Sequence, residues 1–180
     1  MAITLISTVV VGAGGAASID FTSIPGTYTD LMVVMSARNS SNVGAGSGRD
    51  IKININASGI GTSITNRILY GNGSTAASAT NTTAQAGFTV ANDETASTFS
   101  NNSIYFPNYA GATNKSFSID TVHELNATGN IMGILAGLWS NTAAITSLSF
   151  TMSSGGNFQQ YSSATLYGIT KGSSSGVTVS

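Results

Sequence analysis

The residues with the strongest claim to chemistry surround the single histidine. His123 stands between Asp120 and Glu124, side chains that together could ligate a metal or relay a proton. The local pattern speaks against their convergence. Phe117, Ile119 and Thr121 alternate with Ser118, Asp120 and Val122, and alternation of period two is the mark of a strand, whose successive side chains point to opposite faces. His123 then shares a face with Phe117, Ile119 and Thr121, while Asp120 and Glu124 take the other. The expectation is a strand-end histidine making an ordinary hydrogen bond. A Ser–His–Asp relay has many serines to draw on but no nucleophile-elbow motif.

A second motif lies near the start. Val9-Val10-Val11-Gly12-Ala13-Gly14-Gly15-Ala16-Ala17 spells G-x-G-x-x-A after an apolar run, one form of the dinucleotide fingerprint. That fingerprint works only where a helix N-terminus aims its amides at the pyrophosphate. Here Ser18-Ile19-Asp20-Phe21-Thr22 alternates like a strand and Pro25 follows, leaving no room for the helix. A glycine-rich hairpin turn and no cofactor are expected. Of the remaining carboxylates, Asp20, Asp30, Asp50, Asp93 and Glu94, only Asp93 and Glu94 are adjacent, and no calcium-loop spacing occurs. Arg38, Arg49 and Arg67 are expected to pair with these acids. Tyr105, Phe106, Tyr109, Trp139, Phe158, Tyr161 and Tyr167 have core packing as their common use and sugar stacking as the alternative. No catalytic, cofactor-binding or metal-binding residue is assigned, the chain is expected not to be an enzyme, and its binding surface is left open.

Composition points the same way. Only 7% of residues are charged, against about 25% in ordinary proteins, while Ser, Thr, Asn and Gly fill nearly half the positions. Net charge is −1 and the pI is about 5.6. No basic stripe is available to neutralise phosphates, so nucleic acid is not an expected partner. No basic amphipathic stretch suits a membrane surface, and Ile131 to Trp139 is far short of the ~20 residues that span a bilayer. The absence of cysteine excludes disulfides and thiolate metal sites. Ile3 to Val11 followed by small residues has the outline of a signal peptide but lacks the basic n-region. The triplets Asn56-Ala57-Ser58, Asn81-Thr82-Thr83 and Asn126-Ala127-Thr128 read as chance products of a chain rich in these residues.

The elements that must position these residues are strands. Ile51, Ile53 and Ile55 alternate with Lys52, Asn54 and Asn56. Further candidates are Thr4–Val11, Ser18–Thr22, Asp30–Arg38, Arg67–Tyr70, Gly87–Val90, Ser103–Pro107, Ile131–Trp139, Ile145–Met152 and Ala164–Thr170. No segment carries the i, i+3, i+4 stripe of a helix. The pattern predicts an all-β fold with little or no helix: a jelly-roll-like antiparallel β-sandwich of about eight to ten strands. Residues 1–180 form one domain, with an N-terminal strand or arm over 1–17 and a Gly/Ser-rich tail over 172–180. Pro25-Gly26 marks a bend, 126–130 and 153–157 read as hairpin loops, and Ser40–Gly48 and Gly71–Gln85 read as long loops.

Four stretches carry a resemblance: Ile24-Pro25-Gly26-Thr27-Tyr28-Thr29-Asp30-Leu31, Tyr105-Phe106-Pro107-Asn108-Tyr109-Ala110-Gly111, residues 137–145 (GLWSNTAAI), and residues 156–169, which end Leu166-Tyr167-Gly168-Ile169. Together they resemble a family of small structural proteins of tailed phages, over roughly Ser18 to Lys171. The resemblance implies a β-sandwich virion protein, made in the host cytoplasm and built into the particle, without catalytic residues. The single-module length suits a capsid decoration or cement protein on the capsid exterior, expected as a homotrimer bound to the major capsid protein or other virion proteins. A tail-fibre or tail-tip module binding a host-surface glycan is the alternative. The leading Ile3–Val11 segment is expected to add a strand to this module or to a neighbouring subunit.

Overall fold

Alternation of apolar and polar residues is realised almost everywhere as a strand with one buried face. The computed structural model describes residues 1–42, 49–59, 63–81, 83–126, 129–153 and 155–171. Among them are twelve strands and no helix: β1 (Ala2–Val10), β2 (Ser18–Phe21), β3 (Asp30–Ala37), β4 (Arg49–Ile55), β5 (Ile64–Gly71), β6 (Ala76–Asn81), β7 (Gln85–Thr89), β8 (Ser100–Phe106), β9 (Lys115–Glu124), β10 (Asn130–Trp139), β11 (Leu148–Met152) and β12 (Ser163–Thr170). The predicted 172–180 tail and most of the predicted Ser40–Gly48 loop lie outside the described residues.

The strands form two sheets, an eight-stranded one in the order β1-β12-β3-β8-β9-β10-β5-β6 and a four-stranded one in the order β2-β11-β4-β7. All the ladders are antiparallel. The pairing is nested. First pairs with last, β2 with β11, β3 with β8 and β12, β4 with β7 and β11, and successive strands β1 to β4 alternate between the sheets. This is the rolled-up hairpin of a jelly roll. Two hairpins are added to it: β5–β6 between β4 and β7, and β9–β10 between β8 and β11. They meet in the β5–β10 ladder and lengthen the large sheet.

The core lies between the sheets. Ile19, Phe21, Ile51, Ile53, Ile55, Leu148 and Phe150 of the small sheet meet Leu31, Val33, Met35, Ile104, Phe106, Phe117, Ile119 and Leu166 of the large one. Burying such a side chain contributes about 1.5–3 kcal/mol. Glycines within strands allow rings to lie across them. A Cβ on Gly137 would overlap the Phe117 ring, and one on Gly168 would overlap Tyr28. Tyr28 sits just after the Pro25-Gly26 bend, and Gly168 therefore marks close packing.

Several loop expectations are corrected. The Gly71–Gln85 loop contains β6, whose small residues give no apolar signal and which is held by its ladder to β5. The glycine turn and residues 153–157 are not hairpin loops, because β1 and β2, and likewise β11 and β12, belong to different sheets. Both segments are crossovers, joined to each other by the Ala16–Phe158 bridge. β9 and β10 pair antiparallel as a hairpin at 126–130 requires, although residues 127 and 128 lie outside the described residues. The leading segment forms β1, paired to β12 of its own chain from Ala2–Thr170 to Val10–Ser163.

Candidate functional surface

The histidine cluster is dispersed as the alternation requires. His123 is buried, and along β9 burial alternates so that Asp120 and Glu124 are exposed on the opposite face. The expected ordinary hydrogen bond is not found at Nδ1, which is buried without a partner. Burial pulls the imidazole pKa below its ordinary value, a shift partly opposed by the charge of Glu94. Glu94, not Asp120 or Glu124, is thus the carboxylate the ring senses. Its own Oε2 accepts the Ala91 N–H at 2.6 Å. Among the described residues no three His, Asp or Glu side chains gather as metal ligands would. The glycine turn closes with Gly15 N–H donating to the Gly12 carbonyl at 3.0 Å and leads into β2 rather than a helix.

Arg38, expected to pair with an acid, serves backbone carbonyls instead, and the Arg49 side chain lies outside the described residues. The Arg38 guanidinium donates to the carbonyls of Thr95 (2.7 Å), Thr98 (2.8 Å), Asn92 (3.2 Å) and Glu94 (3.0 Å), tying the 92–98 loop to the end of β3. Desolvation lowers its pKa against the opposing pull of Glu94 and Asp93. Lys115 is 1% exposed. Its ammonium donates to the carbonyls of Gly111 (2.7 Å), Thr113 (2.5 Å), Ala143 (2.8 Å) and Thr142 (3.3 Å) and lies 5.8 Å from the centre of the Trp139 ring. The one ion pair among the described residues joins Lys52 to Asp50 at 3.3 Å. Asp30 is buried and accepts from the Tyr105 hydroxyl at 2.7 Å and the Asn108 N–H at 2.8 Å. The hydrogen bond to Asp30 is the main cause of a raised Tyr105 pKa. With Arg38, Lys52, Lys115 and Asp30 all buried, exposed charge is scarcer still than composition implies.

The aromatics divide clearly. Phe106, Tyr109, Trp139 and Phe158 are fully buried, Tyr105 and Tyr167 are half-buried, and Tyr161 alone of those singled out is exposed, at 70%. Tyr109 donates its hydroxyl to the Pro25 carbonyl, a structural role. Tyr161 has φ +73° and is the one bulky residue among the described non-glycine positions with positive φ, a backbone state disfavoured for such side chains. It adjoins a concavity of about 400 Å³ lined by neutral groups, among them Ser40, Asn92, Asn157, Gln159 and Gln160.

The largest unexplained feature is one the sequence reading did not single out. The face of the large sheet turned away from the small one carries Met132, Ile134 and Leu69, each exposed by 60–65%, with Val122 and Leu138 at about 40%. The register sets them side by side: Ile134 faces Leu69 across one ladder and Asp120 across the other, and Met132 faces Val122. Leu69, Val122, Met132 and Ile134 floor a groove of about 510 Å³. Further along the same sheet β1 exposes Ile3, Leu5 and Val10. The signal was present in residues 131–139 (IMGILAGLW), which are apolar at both parities. Such a run reads as a strand buried on both faces, yet only Ile131, Leu135, Gly137 and Trp139 are covered.

The class defined by this architecture is an antiparallel jelly-roll β-sandwich with one sheet extended to eight strands. No protein-family model, curated protein or solved structure matches the chain.

Proposed function

We propose that this chain is a structural component of a tailed-phage virion, a homotrimeric decoration or cement protein that packs on the capsid exterior. The observation that carries the assembly role is the uncovered apolar face of the eight-stranded sheet. Exposed apolar side chains set side by side, as Leu69, Val122, Met132 and Ile134 are, mark a contact site. Eight strands about 4.8 Å apart and about seven residues long span roughly 34 Å by 23 Å, close to the ~800 Å² that each partner contributes to a standard interface. The four resembling stretches supply the particle, and the jelly roll is compatible with that role. Contact through burial and neutral hydrogen bonds makes affinity nearly independent of salt.

The test is to add purified protein to tailed-phage capsids that lack it and image labelled particles. Density on the capsid exterior, retained from about 50 to 200 mM salt, is the expected result. Label confined to the tail, or a steep loss of binding across that range, overturns the reading.

A second reading, a tail-tip module binding a neutral host glycan, is favoured by exposed Tyr161 beside the amide-lined concavity. Amides and hydroxyls suit sugar hydroxyls, and a ring suits the apolar face of a sugar. On this reading Tyr161→Ala and Gln160→Ala abolish host adsorption and leave particle stability unchanged. Unaltered adsorption removes it.

A further inference from the structure

The eight-stranded sheet ends on two strands that lack the usual protection of an edge. β1 hydrogen-bonds to β12 and β6 to β5, and among the described residues neither has a strand on its other side. Natural edges are kept from pairing by shortness, by charge, by proline or by a cover. The small sheet follows that practice at both edges: β2 has only four residues, and all five residues of β7 are buried. The large sheet does not. Neither β1 (AITLISTVV) nor β6 (AASATN) contains a charged residue or proline, and a single bulge between Leu5 and Ser7 interrupts β1. Both strands are solvent-exposed on both faces along most of their length, with Ile3, Leu5 and Val10 at 59–66% in β1. This nine-residue strand packs only Ile6 and Val9, both partly buried, against the core of its own domain.

The two open edges match each other. Directions alternate through the large sheet and the number of strands is even, so β1 and β6 run oppositely. A second copy in the same orientation therefore brings its β1 antiparallel to β6 of the first. We propose that β1 of each copy adds to β6 of the next, head to tail, so that the large sheet continues from subunit to subunit. This deepens the reading of the chain as a homotrimer and rests on it. Three such seams close a ring, whereas failure to close gives a filament. Pairing β1 with β1 about a two-fold axis leaves every β6 edge open. The head-to-tail seam fills both edges of every copy with one kind of contact. It also brings Ile3 and Leu5 next to the small residues of β6, which join them to Leu69 on β5.

The chain has no cysteine, so introduced thiols report without background. Chains carrying Thr4→Cys are mixed with chains carrying Ala79→Cys, both on the sheet face turned toward the small sheet, with Ala2 and Ala77 as alternates to scan the register. Disulfide-linked pairs that need both chains are expected, since paired strands bring Cα atoms within disulfide range. Leu5→Lys and Ile3→Lys are expected to convert trimers to monomers in light scattering without changing the circular dichroism, because both sites are exposed. A disulfide formed by Thr4→Cys chains alone, a monomeric wild-type protein, or a trimer indifferent to Leu5→Lys with no mixed disulfide each overturns the seam. That last outcome leaves the virion reading standing, whereas a trimer that decorates no capsid removes the virion reading and keeps the seam.

Discussion

Replacing Lys115 with Met removes the ammonium and keeps most of the aliphatic stem. In the folded protein that ammonium satisfies four carbonyls from two separate loops, the 107–114 turn and residues 140–147. Hydrogen bonds to a charged group each contribute about 1.5–3 kcal/mol, so four amount to roughly 6–12 kcal/mol gross. Taking the ammonium out of water costs several kcal/mol, and the carbonyls left behind are partly rehydrated where the loops reach solvent. The net loss for Lys115→Met is about 3–5 kcal/mol, a large share of the ~5–15 kcal/mol that holds a domain. Equilibrium urea unfolding is the assay, followed by far-UV circular dichroism and by Trp139 fluorescence. Trp139 lies beneath the ammonium, so its native emission should change as well. A midpoint shift equivalent to less than about 1 kcal/mol, with an unchanged slope, refutes the view that this cation clamps the two loops.

Other outcomes follow from features of the same kind. Because burial holds the His123 pKa below its unfolded value, the unfolded chain binds the extra proton. Stability should be fully present above pH ~6.5 and fall as pH drops below it, and His123→Phe should flatten thermal melts across pH 7 to 5. Gly137→Ala places a methyl group inside the Phe117 ring, itself packed on Phe106 with centroids 4.9 Å apart. With no room to yield, a loss of about 1–3 kcal/mol in calorimetry is expected. Met132→Lys and Ile134→Lys alter exposed positions, so melting should move by less than about 0.5 kcal/mol while capsid binding in a sedimentation assay is lost.

Strand by strand, the fold was legible wherever one face of a strand is buried. The buried isoleucines of β4 and the full alternation of β9 follow the period-two pattern residue for residue. β6 escaped because Ala, Ser and Thr bury little, so backbone pairing alone defines it. Crossovers were mistaken for hairpins since a glycine turn has the same composition whether it returns to its own sheet or passes to the other. Arg38 was expected to pair with an acid, and Lys115 was not singled out, because their partners are carbonyls, which every residue possesses and no side-chain pattern announces. The uncovered apolar face was hidden for a related reason: residues 131–139 state that both faces of β10 are apolar, but not that one sheet is longer than the other.

The nesting of the strands also sets when the molecule can fold. Ala2 pairs with Thr170, so β1 has no partner in its own chain until almost the entire sequence has left the ribosome. At about 5–20 residues per second, β1 waits roughly 8–32 s after its own synthesis. During that time Ile3, Leu5 and Val10 are presented by an unpaired segment without a charge to restrain association. Such non-local closure is slow in itself. Slower translation should therefore lengthen the exposure of β1 and lower the yield of folded chain. A circular permutant that opens the chain elsewhere and joins the present termini through a linker would make β12 and β1 neighbours in synthesis and shorten that exposure.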